Sequence, residues 1–428
     1  MKELYIERRR KLAELMEKNS MLISFSGEEK HKTCDLNYDF EVERNFYYLT
    51  GLDEPQAILV IIKTDYFTRE FLYVRRMSKG EEIVTGETKP VSYYQEMIGI
   101  QEIGYKEDFE ADLPTRFGVF GLSTVYFCGS QPVLMASPSL EGLFAERIQR
   151  CIPGVTVKNL CGEIKKMRRI KSDKEIAMMK KAADLTAKGI EALVRDVRPG
   201  VYEYQLEADF EHAIKYHGAR GTSFHTIAAS GKNSFTIHYE KNQDMLQSGD
   251  LLLIDLGADY HYYCSDVSRV YPVDGTFTEE QAYWYNVCLK AQEMIINNMR
   301  PNASIDESGI EATDYVAEEL FKAGLIPSKE AAGNIFQNNF ASIGGPNHEI
   351  GIDTHENFST PKEKGDVFRP GMAYAVEPGI YLKDLNIGIR VEDVVVVTEE
   401  GPLVLTADIP KTVEEVEAFM SRLQTERK

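Results

Sequence analysis

The chain has 428 residues, more than one ordinary hydrophobic core accommodates, so two domains are expected. Hydrophobic residues make up 43% and charged residues 27%, the profile of a soluble globular protein, and no run of 18 apolar residues offers a membrane span. The 49 basic against 68 acidic residues leave a net charge of −19, which argues against a nucleic-acid footprint. Six cysteines (Cys34, Cys128, Cys151, Cys161, Cys264 and Cys288) contain no Cys-x-x-Cys pair, so a zinc ribbon or thioredoxin-type motif is not expected. Thiols this sparse fit a reduced, cytoplasmic protein rather than a disulfide scaffold.

The opening MKELYIERRRKLAELM reads as an amphipathic charged helix and lacks the apolar core of a signal peptide. QAILVII (56–62) and EFLYV (70–74) read as a strand pair around a polar turn. VSYYQEMIGI (91–100) reads as a helix, STVYFC (123–128) as a strand, and GVTVKNL (154–160) closes this part. Such alternation predicts a layered α/β domain over residues 1–167. In the next stretch Ser172 is the expected N-cap, with Glu175 completing a capping box. Apolar positions 176, 179, 183, 190, 193 and 194 mark one helical face, and Pro199-Gly200 ends the helix. A second domain is expected over 168–428, with helices at 202–217, 279–299 and 306–323. Its strands are expected at 224–229, 236–239, 250–256, 262–271, 372–382 and 387–398.

That second part carries acids in unusual places. Asp255 ends the apolar run 251–254, where a carboxylate is costly unless it is paired or bound to metal. On the following strand Cys264, Asp266 and Ser268 share a face, and a hairpin can set Asp255 beside Asp266. For either residue alone a strand-end cap or a surface aspartate is the simpler reading. Glu377 lies in the apolar GMAYAVEPGIYL (371–382). In LNIGIRVEDVVVVTEEG (385–401), Arg390 and Glu392 share a face and Asp393 points the other way; a same-face ion pair would explain the first two. IGGPNHEIGIDTHE (343–356) follows an Asn-rich stretch expected to end a helix (Asn334, Asn338, Asn339) and adds His348 and His355. Asp255, Asp266, Glu377 and Glu392 carry four negative charges, which two divalent ions would balance; without metal they would repel and take up protons. Oxygen-rich ligands with one imidazole suit manganese, cobalt, iron or zinc. Two such ions can share a hydroxide nucleophile and stabilise a tetrahedral oxyanion.

The order of these residues, with Asp266 eleven after Asp255, then His348, VEPGIY and IRVED, resembles the pita-bread metallopeptidases. FHTIAASGKNSFTIHY (224–239) is similar to the family segment ending in a substrate-side histidine, here His238. IGIDTHE is similar to the segment whose second histidine, here His355, follows the metal histidine by seven. DLNYDFEVERNFYYLTGLDEPQAILVI (35–61) resembles the N-terminal domain of aminopeptidase P, the Xaa-Pro aminopeptidases, an architecture shared with prolidase. The resemblance implies an α/β (α+β) fold, with an aminopeptidase P-like N-terminal domain before a pita-bread catalytic domain. It also implies two divalent metal ions, manganese ahead of cobalt, zinc or iron. Asp255 would chelate one, Asp266 and Glu392 would bridge both, and His348 and Glu377 would complete the second site. Glu377 would also handle protons, His238 and His355 would bind the substrate and the tetrahedral intermediate, and Arg390 would orient the acids.

The activity implied is cleavage of an N-terminal Xaa-Pro bond in a proline-containing peptide by a homodimer or homotetramer. A prolidase acting on Xaa-Pro dipeptides is the alternative within the class, and cleavage of another C–N bond, as in creatine-cleaving relatives, is a third. Two departures stand out. The family pattern His-Gly-x-x-His would place a histidine at Gly344, so one substrate-side group is missing and reduced or shifted activity is expected. Glu41 stands where relatives often carry an arginine.

Overall fold

The computed structural model describes residues 1–86, 89–129, 139–329, 341–342, 344–356 and 365–426; the Asn-rich stretch 334–339 lies outside them. By its internal contacts the chain divides into two compact units, Met1–Arg168 and Arg169–Lys428.

The first unit is built on a six-stranded mixed sheet. From edge to edge its strands are Glu102–Tyr105, Thr68–Val74, Ile58–Lys63, Ser20–Phe25, Thr124–Phe127 and Thr156–Asn159. Ile58–Lys63 runs antiparallel to both neighbours, and its first five residues are buried, as expected of a strand covered on both faces. One face packs Met21, Ile23, Val60 and Val125 against Phe109, Leu113 and Phe117 of the helix Lys106–Phe120, and against Ile148 of the helix Leu140–Cys151. Neither helix is expected from the pattern reading, although Phe109, Leu113 and Phe117 recur at the four-residue spacing of a helical face. Glu141, in the first turn of Leu140–Cys151, is buried and accepts a hydrogen bond from the Gly129 amide at 2.6 Å. Burial, with the charge of Glu43 beside it, pushes its carboxyl up to about 8.

In the second unit the capping box at Ser172 starts the helix Asp173–Val194. The strand Leu251–Leu256 lies between Ile227–Ser230 and Val267–Pro272, antiparallel to both. Its alternate side chains serve two cores. Leu251 and Leu253 pack with Trp284, Cys288 and Ile295 of the helix Glu279–Asn298. Leu252, Ile254 and Leu256 pack with Leu185, with Phe210 of the helix Glu203–Tyr216 and with Met420 of the helix Val413–Glu426.

Three expected strands are each broken in two. Residues 262–271 become Tyr263–Cys264 and Val267–Pro272; 372–382 become Ala373–Val376 and Gly379–Leu382; 387–398 become Ile387–Arg390 and Asp393–Thr398. The gaps hold Asp266, Glu377 and Glu392. An acid that leaves the ladder there is freed from the strict alternation of the pleat. Residues 236–239, expected as a strand, instead form a turn after the 3-10 segment Gly231–Phe235, because hydrogen bonds to Glu203 of a distant helix rather than a sheet partner hold this loop.

Candidate metal centre

Asp255 and Asp266 are brought together by a tight crossing of backbone. Asp255 pairs with Ser268 in the antiparallel ladder, and Gly257 turns the chain away. A Cβ on Gly257 would lie 1.8 Å from the Ser265 carbonyl oxygen, so only glycine allows the two segments to pass so closely. His348 opens the strand His348–Glu349 opposite Ala375, which places it beside the end of Ala373–Val376 where Glu377 emerges. The Asn347 side-chain oxygen fixes that exit by accepting the Glu377 amide at 3.0 Å. Glu392 follows Ile387–Arg390, whose partner strand is Gly379–Leu382.

Ligand atoms of Asp266, His348 and Glu392 all fall within 4.8 Å of one another. The Nε2 of His348 is 3.6 Å from both the Asp266 Oδ2 and the Glu377 Oε1. Arg390, buried, ties Asp255 into the group: its Nη2 meets Asp255 Oδ2 at 2.5 Å, and its Nε is 3.7 Å from Glu377 Oε2. The five expected ligands and Arg390 therefore share one neighbourhood, with Asp255 and Glu377 joined to the tight trio through Arg390 and His348.

The charge pattern calls for a cation. Burial, then Glu392, Asp255 and Glu377, push the Asp266 carboxyl well above its ordinary range. Burial, then Glu377 and Asp255, do the same to Glu392. Glu377 rises to about 7, chiefly by burial; Arg390 opposes the rise and Asp255 adds to it. Burial and then neighbouring His355 push His348 down to about 3, so its imidazole is neutral and its nitrogen lone pair is free for a ligand. The Oδ1 of Asp255 and the Oε1 of Glu392 are buried with no hydrogen-bond partner among the described residues. Buried, unpartnered carboxylate oxygens in a crowded acidic cluster fit divalent metal ions, whose charge would hold these groups ionised.

The links among the supporting groups were not legible in the sequence. Ser268 accepts a hydrogen bond from Arg390 Nε at 2.8 Å and donates one to Glu392 Oε2 at 2.9 Å. The Tyr381 hydroxyl accepts from Arg390 Nη1 at 3.0 Å. Arg269 donates to the Glu392 carbonyl at 2.5 Å and to Asp393 Oδ1 at 2.7 Å. Against its burial, Arg269 and Lys411 hold the Asp393 carboxyl low, so this acid is an anchor for backbone and stands apart from the cluster. The side-chain alternation that separates Asp393 from Glu392 was the available signal; Ser268 and Tyr381 carry none without the register.

His238 and His355 are both exposed. The His355 ring lies edge-on to His348 with centroids 4.2 Å apart. Burial lowers its pKa first, and the charge of His238 next, so the two histidines lie within electrostatic reach of each other. Gly344 lies in the bend before His348, and among the described residues a Cβ there would meet nothing within 4 Å.

Comparison with known proteins matches the description "Metallopeptidase family M24" over residues 177–399 and "Aminopeptidase P, N-terminal domain" over residues 5–125. The Xaa-Pro aminopeptidase of Escherichia coli strain K12 is 31% identical, with 96% of each chain covered. Xaa-Pro aminopeptidase 3 of Dictyostelium discoideum is 32% identical, over 98% of this chain and 83% of the relative. A solved structure of zinc-substituted E. coli aminopeptidase P in complex with product superposes with a TM-score of 0.88 at 30% identity, covering 99% of both chains. On this match across both units, the chain belongs to metallopeptidase family M24, with the aminopeptidase P type of N-terminal domain.

Proposed function

We propose that this protein is a metal-dependent aminopeptidase that removes the first residue of peptides whose second residue is proline. The observation that carries the reading is the convergence of Asp266, His348 and Glu392, with buried carboxylate oxygens of Asp255 and Glu392 left unpartnered. In this reading Asp255, Asp266, His348, Glu377 and Glu392 hold two divalent ions, manganese first among the candidates. Such a pair supplies Lewis-acid polarisation of the scissile carbonyl and lowers the pKa of the attacking water.

The chain's own groups do the rest. Glu377, at the rim of the cluster beside His348, would take a proton from the attacking water and give it to the departing proline nitrogen. Its exit beside Asn347 keeps it at the edge of the cluster, partly open to solvent. Arg390 holds Asp255 and, through Ser268, Glu392, so it is a positioning residue. His238 and His355, both exposed, would donate hydrogen bonds to the substrate carbonyl as its oxygen gains charge. Proline after the scissile bond has no N–H, so recognition there depends on shape.

The finer calls belong to the same proposal. Two domains meeting at 167/168 are supported by the two compact units. A reducing, cytoplasmic setting rests on the sparse cysteines of the sequence, which contain no Cys-x-x-Cys pair. Among the described residues no helix is long and apolar enough to cross a membrane. A homodimer or homotetramer is expected and is tested by sedimentation.

The central test is metal content measured together with turnover on Xaa-Pro dipeptides, Xaa-Pro-Yaa peptides and controls without proline. Asp266→Ala and Glu392→Ala are expected to lose metal and activity together. Full turnover in either variant, or in a chelated sample, would show the centre to be misassigned.

A further inference from the structure

His238 sits on an exposed turn in a long loop, and such a loop on its own would not hold an imidazole in one place. The loop is instead fastened from below by one carboxylate. Glu203, the first residue of the helix Glu203–Tyr216, is fully buried and receives five hydrogen bonds. Its Oε1 accepts from the Ser230 amide at 2.8 Å, the Ser230 hydroxyl at 2.7 Å and the Asn233 side chain at 2.9 Å. Its Oε2 accepts from the Tyr239 hydroxyl at 2.9 Å and the Asp244 amide at 2.9 Å. Ser230 precedes His238 by eight residues and Asp244 follows it by six, so one side chain closes both ends of the loop. Tyr239 is the residue next to His238.

Glu207, one helical turn further along, adds a second fastening. It accepts from the Asn242 side chain at 3.0 Å, while the Asn242 oxygen takes the Ala228 amide at 2.9 Å. Asn242 has a φ of +46°, a left-handed geometry that asparagine tolerates better than most residues. The strand ending at Ser230 is also the neighbour of the strand that carries Asp255, with Ile227 opposite Asp255. The fastening therefore refers the His238 loop to the same sheet that positions the acid cluster. A negative charge at this helix N-terminus is favourable, and a carboxylate that accepts every surrounding donor has no lone pair aimed at an empty partner. Burial, with the bond to Glu203, raises the Tyr239 hydroxyl to about 12, so it remains a donor at any working pH.

We propose that Glu203 is a positioning residue for the reaction: it holds the loop 231–244 so that His238 stands over the reacting carbonyl. This inference rests on the substrate role assigned to His238 above. Gln at position 203 keeps the size of the side chain but turns one acceptor into a donor. One of the two backbone amides, of Ser230 or of Asp244, then faces an N–H in place of an oxygen, and the loop must move.

The test is a double-mutant cycle on the metal-loaded enzyme with an Xaa-Pro-Yaa peptide, with metal content and thermal unfolding measured on each variant. His238→Ala and Glu203→Gln are each expected to lower kcat/KM by on the order of 10²-fold, as displacement of a reacting group by about an ångström does. In the His238→Ala background, Glu203→Gln is expected to cost less than about twofold, because the group it positions has gone. Metal content is expected to stay at the wild-type level throughout. Tyr239→Phe removes one of the five donors and is the milder partner for the same cycle where Glu203→Gln folds poorly. Its smaller loss is likewise expected to vanish without His238. Losses that multiply in the double variants, or loss of metal in Glu203→Gln, would overturn the positioning role while leaving His238 in place. No loss in His238→Ala would overturn both this inference and the substrate role on which it rests.

Discussion

Gly344 is the one position in the site region where a functional side chain expected from the resemblance is missing. Among the described residues a Cβ there meets nothing within 4 Å. Gly344→His is therefore expected to fold normally and to add a hydrogen-bond donor on the substrate side. Loss of such a donor costs roughly 10²–10³ in rate elsewhere, so kcat/KM on Xaa-Pro-Yaa peptides is expected to rise by up to about 10²-fold. Unchanged kinetics would show that Asn347 or another donor already does this task. Glu141 makes a second prediction at this scale, far from the chemistry. Its folded carboxyl, near 8, lies above its ordinary value of 4.5, so the folded form binds the proton more tightly. The stability this contributes is complete below about pH 4.5 and is lost as pH rises through 8, by roughly 5 kcal/mol at most. Glu141→Gln, which keeps an acceptor for the Gly129 amide, is expected to flatten that dependence. Hydrogen exchange of the Ile58–Lys63 amides at pH 5 and pH 9 measures it.

Among the elements, the crossing at Gly257 governs the metal centre most directly. Gly257→Ala forces a methyl against the Ser265 carbonyl and must part Asp255 from Asp266. It is expected to lose metal affinity and to destabilise the fold by more than about 1 kcal/mol. Wild-type metal binding in that variant would mean that the crossing has slack. The acids themselves were legible in the sequence because a carboxylate inside an apolar strand is costly and stands out. The strand breaks that hold Asp266, Glu377 and Glu392 were not, since alternation continues through them and only the pairing register shows the interruption. Ser268 was placed on the face of Asp266, but its link between Arg390 and Glu392 depends on segments more than 120 residues apart. Residues 236–239 misled the pattern reading, because TIHY has strand composition while its fastening comes from Glu203 on a distant helix. The helices Lys106–Phe120 and Leu140–Cys151 were missed where Pro114 and scattered charges obscure the period.

At the scale of the molecule, every candidate ligand falls in Arg169–Lys428 and none in Met1–Arg168. A ligand that binds only the folded form stabilises what it binds, by roughly 2.7 kcal/mol when its free concentration is a hundred times Kd. Added manganese is thus expected to raise the unfolding midpoint of the second unit and to leave that of the first where it was. Equal shifts in both would mean that the two melt as one. The sequence has a single tryptophan, and Trp284 is buried in the second unit's core beside Leu251 and Leu253. Its fluorescence is therefore a native optical label for the half of the chain that holds the metal. Emission excited at the red edge, where tyrosine is silent, follows that half alone, whereas far-ultraviolet dichroism follows both. The two signals recorded on one unlabelled sample separate the catalytic unit's melting from that of its neighbour.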